Sequence, residues 1–383
     1  MIIKIFNNHV DVRYKKHKRN DVLVFDEVGS NILDKTILTD IEHTILCSRK
    51  EVLYLNLKIM VCLMKNIIKA FFRDKHRTLY LLYLLSCVES VKPKIVITLI
   101  DNSYLFQAIS RLYTKAEFYA IQNGVKLEVT LEDMPKYPPE AKLISMPNLF
   151  CFGRQIVDIY KKHGHKVDHY FPIGSLIGGY YKSQASSSSA DIQFDVCLVS
   201  QWRNDFMCSD QCAELKRSFD TLNRFLSRYQ KERGLKLCIA TCSVEQGERE
   251  YFKDFYDIPS VEVNNFNRLD FSTYRAMEKS QVIVANDSCA ALEAFGWGKK
   301  VLFCNFTGMA DYNFPKPGIW STNKVDYDDF SNKLDNIIKM DYENYYSDAN
   351  ETMRYVMNYD FSKPAHVFIK QLIYDKIEKG INP

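Results

Sequence analysis

The residues best suited to chemistry lie in the stretch 281–304, QVIVANDSCAALEAFGWGKKVLFC. Asn286, Asp287 and Ser288 break an apolar run and offer helix N-cap side chains. The backbone N–H groups of Ser288, Cys289 and Ala290 would then open a helix, and such a start attracts a phosphate without a lysine. Glu293 lies one turn further on, within reach of a ribose. The plain alternative is an ordinary βαβ crossover with an exposed glutamate. Asp101, Asn102 and Ser103 close a second apolar run, and Gln122, Asn123 and Gly124 close a third. A carboxylate that ends a buried strand faces the crevice, so Asp101 is the expected catalytic group. It would act as a base toward an acceptor hydroxyl or as a nucleophile. Its plain alternative is a cap on the helix beginning near Tyr104. Asn102, Gln122, Asn123 and Gly124 would orient Asp101 or hold an acceptor, although Asn-Gly is also turn chemistry. Ser200 and Gln201, at the tip of the run 194–199, complete the donor side of the cleft.

The elements that must position these residues form an α/β series. Ile95–Ile100, Glu117–Ile121, Leu149–Phe152, Val167–Phe171, Phe194–Val199, Leu235–Thr241, Val282–Ala285 and Lys300–Cys304 are short apolar runs, as buried parallel strands are. Helical segments separate most of them, among them Gly153–His163, Cys212–Arg233 and Cys289–Phe295. Residues 51–91 read as two helices, with apolar positions so dense that both should be deeply packed. Lys58 and Lys65 interrupt that region, so a buried helix is expected rather than a membrane span. The run Arg13, Lys15, Lys16, Lys18, Arg19 reads as a solvated loop, with an anionic lipid surface or an acidic acceptor as the alternatives. The run 305–320, FTGMADYNFPKPGIW within it, should face the cleft as irregular chain.

At 383 residues the chain is too long for one ordinary core, so two domains are expected. The boundaries fall at 1–182 for an acceptor-side domain, 183–191 for a polar linker, and 192–360 for a nucleotide-binding domain. A last segment, 361–383, would cross back to the first domain. Hydrophobic content of 46% and charged content of 26% are those of a water-soluble globule. A net charge of +4 gives no case for nucleic acid. No targeting segment is evident at the start. The eleven cysteines contain no C-x-x-C and mostly sit in apolar runs, which fits buried thiols in a reducing cytoplasm. His163, His165 and His169 read as surface-loop histidines rather than a metal site, so no metal and no cofactor are expected.

KPKIVITLIDNS, YAIQNG, LFCFGRQIVDIYKKHG, YFPIGS, DVCLVSQW and ANDSCAALEAFGWGKKVLF together resemble bacterial surface-carbohydrate biosynthesis proteins along nearly the whole chain. That group is distantly similar to capsule and lipopolysaccharide Kdo transferases. The resemblance implies a GT-B-like fold, two Rossmann-like doubly wound domains facing a central cleft. It implies a metal-independent glycosyltransferase whose co-substrate is a nucleotide-sugar, such as CMP-activated Kdo or a nonulosonic acid. The acceptor would be a surface polysaccharide or lipid-linked glycan, with peripheral contact at the inner membrane. Asp287, Ser288 and Glu293 match the family's donor loop. Cys289 stands where threonine is common, and Thr241-Cys242 where a basic residue is expected. A sugar-nucleotide epimerase or hydrolase, or a non-catalytic scaffold of a glycan assembly complex, are the alternatives on the same fold.

Overall fold

The protein is described by a computed structural model covering residues 2–5, 8–14, 18–48, 52–73, 78–126, 143–184, 191–203, 210–242, 246–258, 261–264, 267 and 270–379. A small sheet comes first: β1 (Ile2–Ile5) pairs antiparallel with β2 (Asn8–Arg13). Strands β3 (Val22–Phe25) and β4 (His43–Leu46) belong to a larger sheet, and β5 (Val52–Tyr54) returns to pair with β2. The larger sheet adds β6 (Ile95–Thr98), β7 (Glu117–Ile121), β8 (Ser145–Cys151) and β9 (Lys166–Pro172). Its order is β4-β3-β6-β7-β8-β9, with every pair parallel. The second half repeats the plan. It contains β10 (Phe194–Val199), β11 (Leu237–Ala240), β12 (Glu262–Asn264), β13 (Ser280–Ala285), β14 (Lys300–Cys304) and β15 (Ser321–Thr322). They run β12-β11-β10-β13-β14-β15, all parallel. Helices cover both faces, so the central strands are buried along their length and the architecture is a two-sheet α/β fold.

Expectations for the first half are corrected, first in its secondary structure. Val52–Tyr54 is a strand, not the start of a helix, and Arg13 ends a strand rather than sitting in a loop. Strands this short carry no periodic signal of their own. They exist because β2 and β5 meet, with the Tyr54 N–H donating to the Tyr83 hydroxyl at 2.6 Å. Lys15 and Lys16 lie outside the described residues, as does most of the 183–191 segment. The second correction concerns packing. The helix Leu79–Val91 is buried along nearly its whole length, but the helix Leu57–Arg73 presents a broad apolar face to solvent. Only a stripe including Ile59, Asn66 and Ala70 is covered.

The chain crosses back at its end. The Asn358 N–H donates to the Phe152 carbonyl at 2.7 Å, and the Asn358 side chain to the Pro172 carbonyl at 2.7 Å. Gly153 lies so close to this segment that a Cβ would run into the Tyr355 carbonyl. The helix Ala365–Lys379 then lies on the first sheet, where Ile369 and Ile373 join Val22, Val24 and Ile97 in one core. Lys376 pairs with Glu117 at 2.6 Å.

His165 is buried against the Tyr160 ring, not exposed as expected, and its Nδ1 accepts from the Ile144 N–H at 3.2 Å. Burial, with a smaller push from His163, lowers its pKa to about 4. The unfolded chain takes up this proton near pH 6.5 and the folded chain only near pH 4, so stability falls as pH drops through that window. The loss should reach on the order of 2–3 kcal/mol by pH 4. Denaturant unfolding of His165→Asn at pH 7 and pH 4.5 should show a shallower pH dependence than the parent chain.

Candidate functional site

Parallel strands deliver their polar ends to one edge of each sheet, and both edges meet in the cleft. In the second half, β13 is followed by Asn286, whose side-chain amide donates to the Cys304 carbonyl at 2.8 Å and to Ser218 Oγ at 3.0 Å. Asp287 is tied to the neighbouring strand tip. Its N–H donates to Gln201 Oε1 at 2.9 Å, and the Gln201 amide donates back to Asp287 Oδ1. Ser200 is buried, and its hydroxyl accepts from the Trp202 N–H at 3.2 Å, which holds the turn. Ser288 caps the helix Cys289–Gly296, accepting from the Ala291 N–H at 3.5 Å. Gly298, at φ 91°, lets the chain leave that helix and enter β14.

The helix start lies between two cavities. The larger, about 370 Å³, is bordered by Asp287, Ser288 and Leu292, by Tyr312 and Phe314 from the irregular loop, and by Val125 and Gln155 of the first half. The smaller, about 230 Å³, is bordered by Cys289, Ala290 and Glu293, by Phe271 and Tyr274, and by Asn123 from the tip of β7. A third, narrow recess places Arg203 beside Gln201 and Asp287. Arg203 escaped the sequence reading, although it follows a strand tip already singled out there. It supplies a cation near the loop where Thr241-Cys242 supplies none.

Glu293 is almost fully buried. One carboxylate oxygen accepts from the Ser175 hydroxyl and the other from the Tyr274 hydroxyl at 2.6 Å. Burial and the Glu293 charge drive the phenols of Tyr274 and Tyr359 well above their usual pKa, so both stay protonated. Gly178, on the helix Leu176–Gln184, fits only because it lacks a Cβ, which would strike the Tyr359 hydroxyl. Glu293 is therefore a strut between the two halves as well as a wall of the smaller cavity, and not an exposed glutamate.

On the first half, Ser103 and not Asp101 caps the helix Tyr104–Leu112, accepting from the Phe106 N–H at 3.3 Å. Asp101 is 2% exposed and borders neither of these two cavities. Its Oδ1 receives Lys126 Nζ at 3.1 Å, while Oδ2 is buried and has no hydrogen-bond donor among the described residues. Its charge helps push the Cys151 thiol, already raised by burial, up to about 12. Gln122 is committed to the fold: its amide donates to the Gly124 carbonyl at 2.8 Å and accepts from the Phe152 N–H at 2.9 Å. Asn102 is half-buried, and Asn123 is the member of this group that reaches a cavity. Among the described residues no group of three His, Cys, Asp or Glu side chains is arranged to hold a metal ion.

With two all-parallel sheets and a strand-loop-helix site between them, the fold is that of GT-B-like proteins. Solved structures agree. The wall teichoic acid polymerase TagF aligns with a TM-score of 0.56 at 10% identity, covering 94% of this chain and 90% of its own. S. aureus MnaA, solved with UDP, aligns at 0.54 and 13% identity over 93% and 95%. A Listeria monocytogenes structure described as a "putative UDP-N-acetylglucosamine 2-epimerase" aligns at 0.57 and 12% over 94% and 97%. No curated protein matches in sequence. Residues 119–373 match the family Lept_O_ant_chp1, described as "putative O-antigen biosynthesis protein", and the chain belongs to that family.

The helix start can be tested without unfolding it. Ser288 has φ −66° and ψ 130°, which suits a residue before proline, and proline is favoured at the first helical position. Cys289→Pro should fold with a near-parental melting temperature. It should weaken binding of a nucleoside diphosphate about tenfold or more, since one N–H donor to the anion is lost. Titration calorimetry reads the difference.

Proposed function

We propose that this protein is a glycosyltransferase that moves a sugar from a nucleotide-sugar onto a surface polysaccharide or lipid-linked glycan. The observation that carries the reading is the capped helix start at Ser288–Ala290, set between two cavities of unequal size. The donor phosphates would rest on that start, where the helix dipole and backbone N–H groups favour an anion. The nucleoside would lie in the smaller cavity, with its base against Phe271 and its ribose toward Glu293. The sugar would then project into the larger cavity, past Asp287 and Ser288, where Val125 and Gln155 bring in the first half. Arg203 and the Gln201–Asp287 pair would flank the phosphates. No metal is needed to bind a diphosphate held this way.

Asp101 is the proposed carboxylate of the reaction. Lys126 holds it, and a bound diphosphate would compete for that cation and release the carboxylate as a base. Its depth favours a second reading, an epimerase acting on the bound sugar itself, because a polymer hydroxyl reaches a 2% exposed carboxylate less readily than a small sugar does. Product analysis separates the two: transfer to a glycan acceptor, or an isomerised nucleotide-sugar without one. Asp101→Asn should keep donor affinity within a few-fold and lower kcat roughly 10²–10⁴-fold in either case. Near-parental turnover would leave Asp101 a structural partner of Lys126.

Resemblance to the Kdo transferases implies a CMP donor, while the cavity walls do not themselves select a base. Thermal-shift titration with CMP, UDP and GDP assigns the nucleotide. Stabilisation by CMP above the others supports an acidic keto-sugar donor, and a large preference for UDP replaces it. Absence of any shift favours a scaffold.

A further inference from the structure

The helix Leu57–Arg73 has an exposed apolar face that the cleft does not use. Leu57, Met60, Val61 and Met64 lie along it, followed by Ile68, Phe71 and Phe72, each 54% to 80% exposed. Their spacing of three and four residues places the first five on one stripe, and the paired phenylalanines close its end. The opposite stripe is held by the protein. Ile59 is buried, and the Asn66 amide donates to Ser86 Oγ and to Glu89 Oε2, both at 3.0 Å, so the helix cannot roll to hide its apolar side.

Charge selects what covers this face. The helix contains Lys58, Lys65, Lys69 and Arg73 and no acidic residue. Lys65 and Lys69 are exposed beside the apolar stripe. At the start of the helix, the Leu55 N–H donates to the carbonyl of Arg13, the last residue of β2, at 3.0 Å. Tyr14, the next residue, is exposed. A second copy of the chain docked here would bring like charges together, whereas an anionic bilayer surface matches both the cations and the apolar stripe. Seventeen residues with three lysines and an arginine are too short and too charged to span, and no described helix is long and apolar enough to cross a membrane.

We infer that the helix Leu57–Arg73 lies in the surface of an anionic membrane, with Phe71, Phe72 and the Leu57–Ile68 stripe sunk into the headgroup boundary and Lys65 and Lys69 on lipid phosphates. This holds whichever reaction the cleft performs.

The test is co-sedimentation of the full chain with phosphatidylcholine vesicles containing 30% phosphatidylglycerol, and with pure phosphatidylcholine, at about 0.1 and 0.5 M salt. Binding is expected to the anionic vesicles at low salt, falling several-fold at high salt. The double variant Phe71→Ser/Phe72→Ser, altered only at exposed positions, should bind at least tenfold more weakly with unchanged melting temperature. Lys65→Glu/Lys69→Glu should lose the anionic preference. Failure of the parent chain to bind either vesicle overturns the inference, as does equal binding by the parent and the phenylalanine variant. Light scattering in parallel adds one more adverse result: a dimer in the parent, monomeric in the phenylalanine variant and indifferent to lipid, makes the face a self-association surface.

Discussion

A strand hydrogen-bonded on both edges and covered by helices on both faces can place polar side chains only at its ends. That constraint organises this molecule. Both large sheets are wholly parallel, so every carboxyl end within a sheet points the same way. Asp101, Gln122, Gln201 and Asp287 are gathered from distant parts of the sequence because each lies within three residues of the carboxyl end of such a strand. Ile95–Ile97 of β6 and Val282–Ala285 of β13 can then be uniformly apolar while polar side chains gather at one edge.

Where the two halves face each other, polar groups must also hold the interface. Glu293 does this with two hydroxyl donors from separate segments, Ser175 and Tyr274. A buried carboxylate is costly unless its lone pairs are satisfied, and here both oxygens are. The site and the interface thus share a residue. One side chain both walls the smaller cavity and ties together the segments on which the relative placement of the two sheets rests.

Much of the architecture was legible because parallel strands announce themselves as uninterrupted apolar runs. The runs 117–121, 194–199 and 300–304 correspond to strands with the same ends. The loop after β13 was legible for a related reason, since Asn286, Asp287 and Ser288 interrupt such a run with capping side chains. What sequence did not yield depends on contacts between distant segments. The partner of Glu293 at Ser175 is 118 residues away. The depth of Asp101 follows from Lys126 on a neighbouring loop and from Cys151 and Tyr160 beneath it. Apolar density in 57–73 was read as burial, but density says nothing about which surface covers the residues. Three-residue β5 exists only through its partner β2.

The return of the helix Ala365–Lys379 to the first sheet also governs how the molecule can be made. Residues emerge from the ribosome in order, and domains generally mature as units as they emerge. Here the first sheet is translated early, yet the face carrying Val22, Val24 and Ile97 receives Ile369 and Ile373 only after the entire second sheet has been synthesised. The earlier half must wait, partly uncovered, for the later one. The two halves therefore reach their final packing together, and nascent chains halted between them would leave an apolar sheet face available to chaperones or to one another.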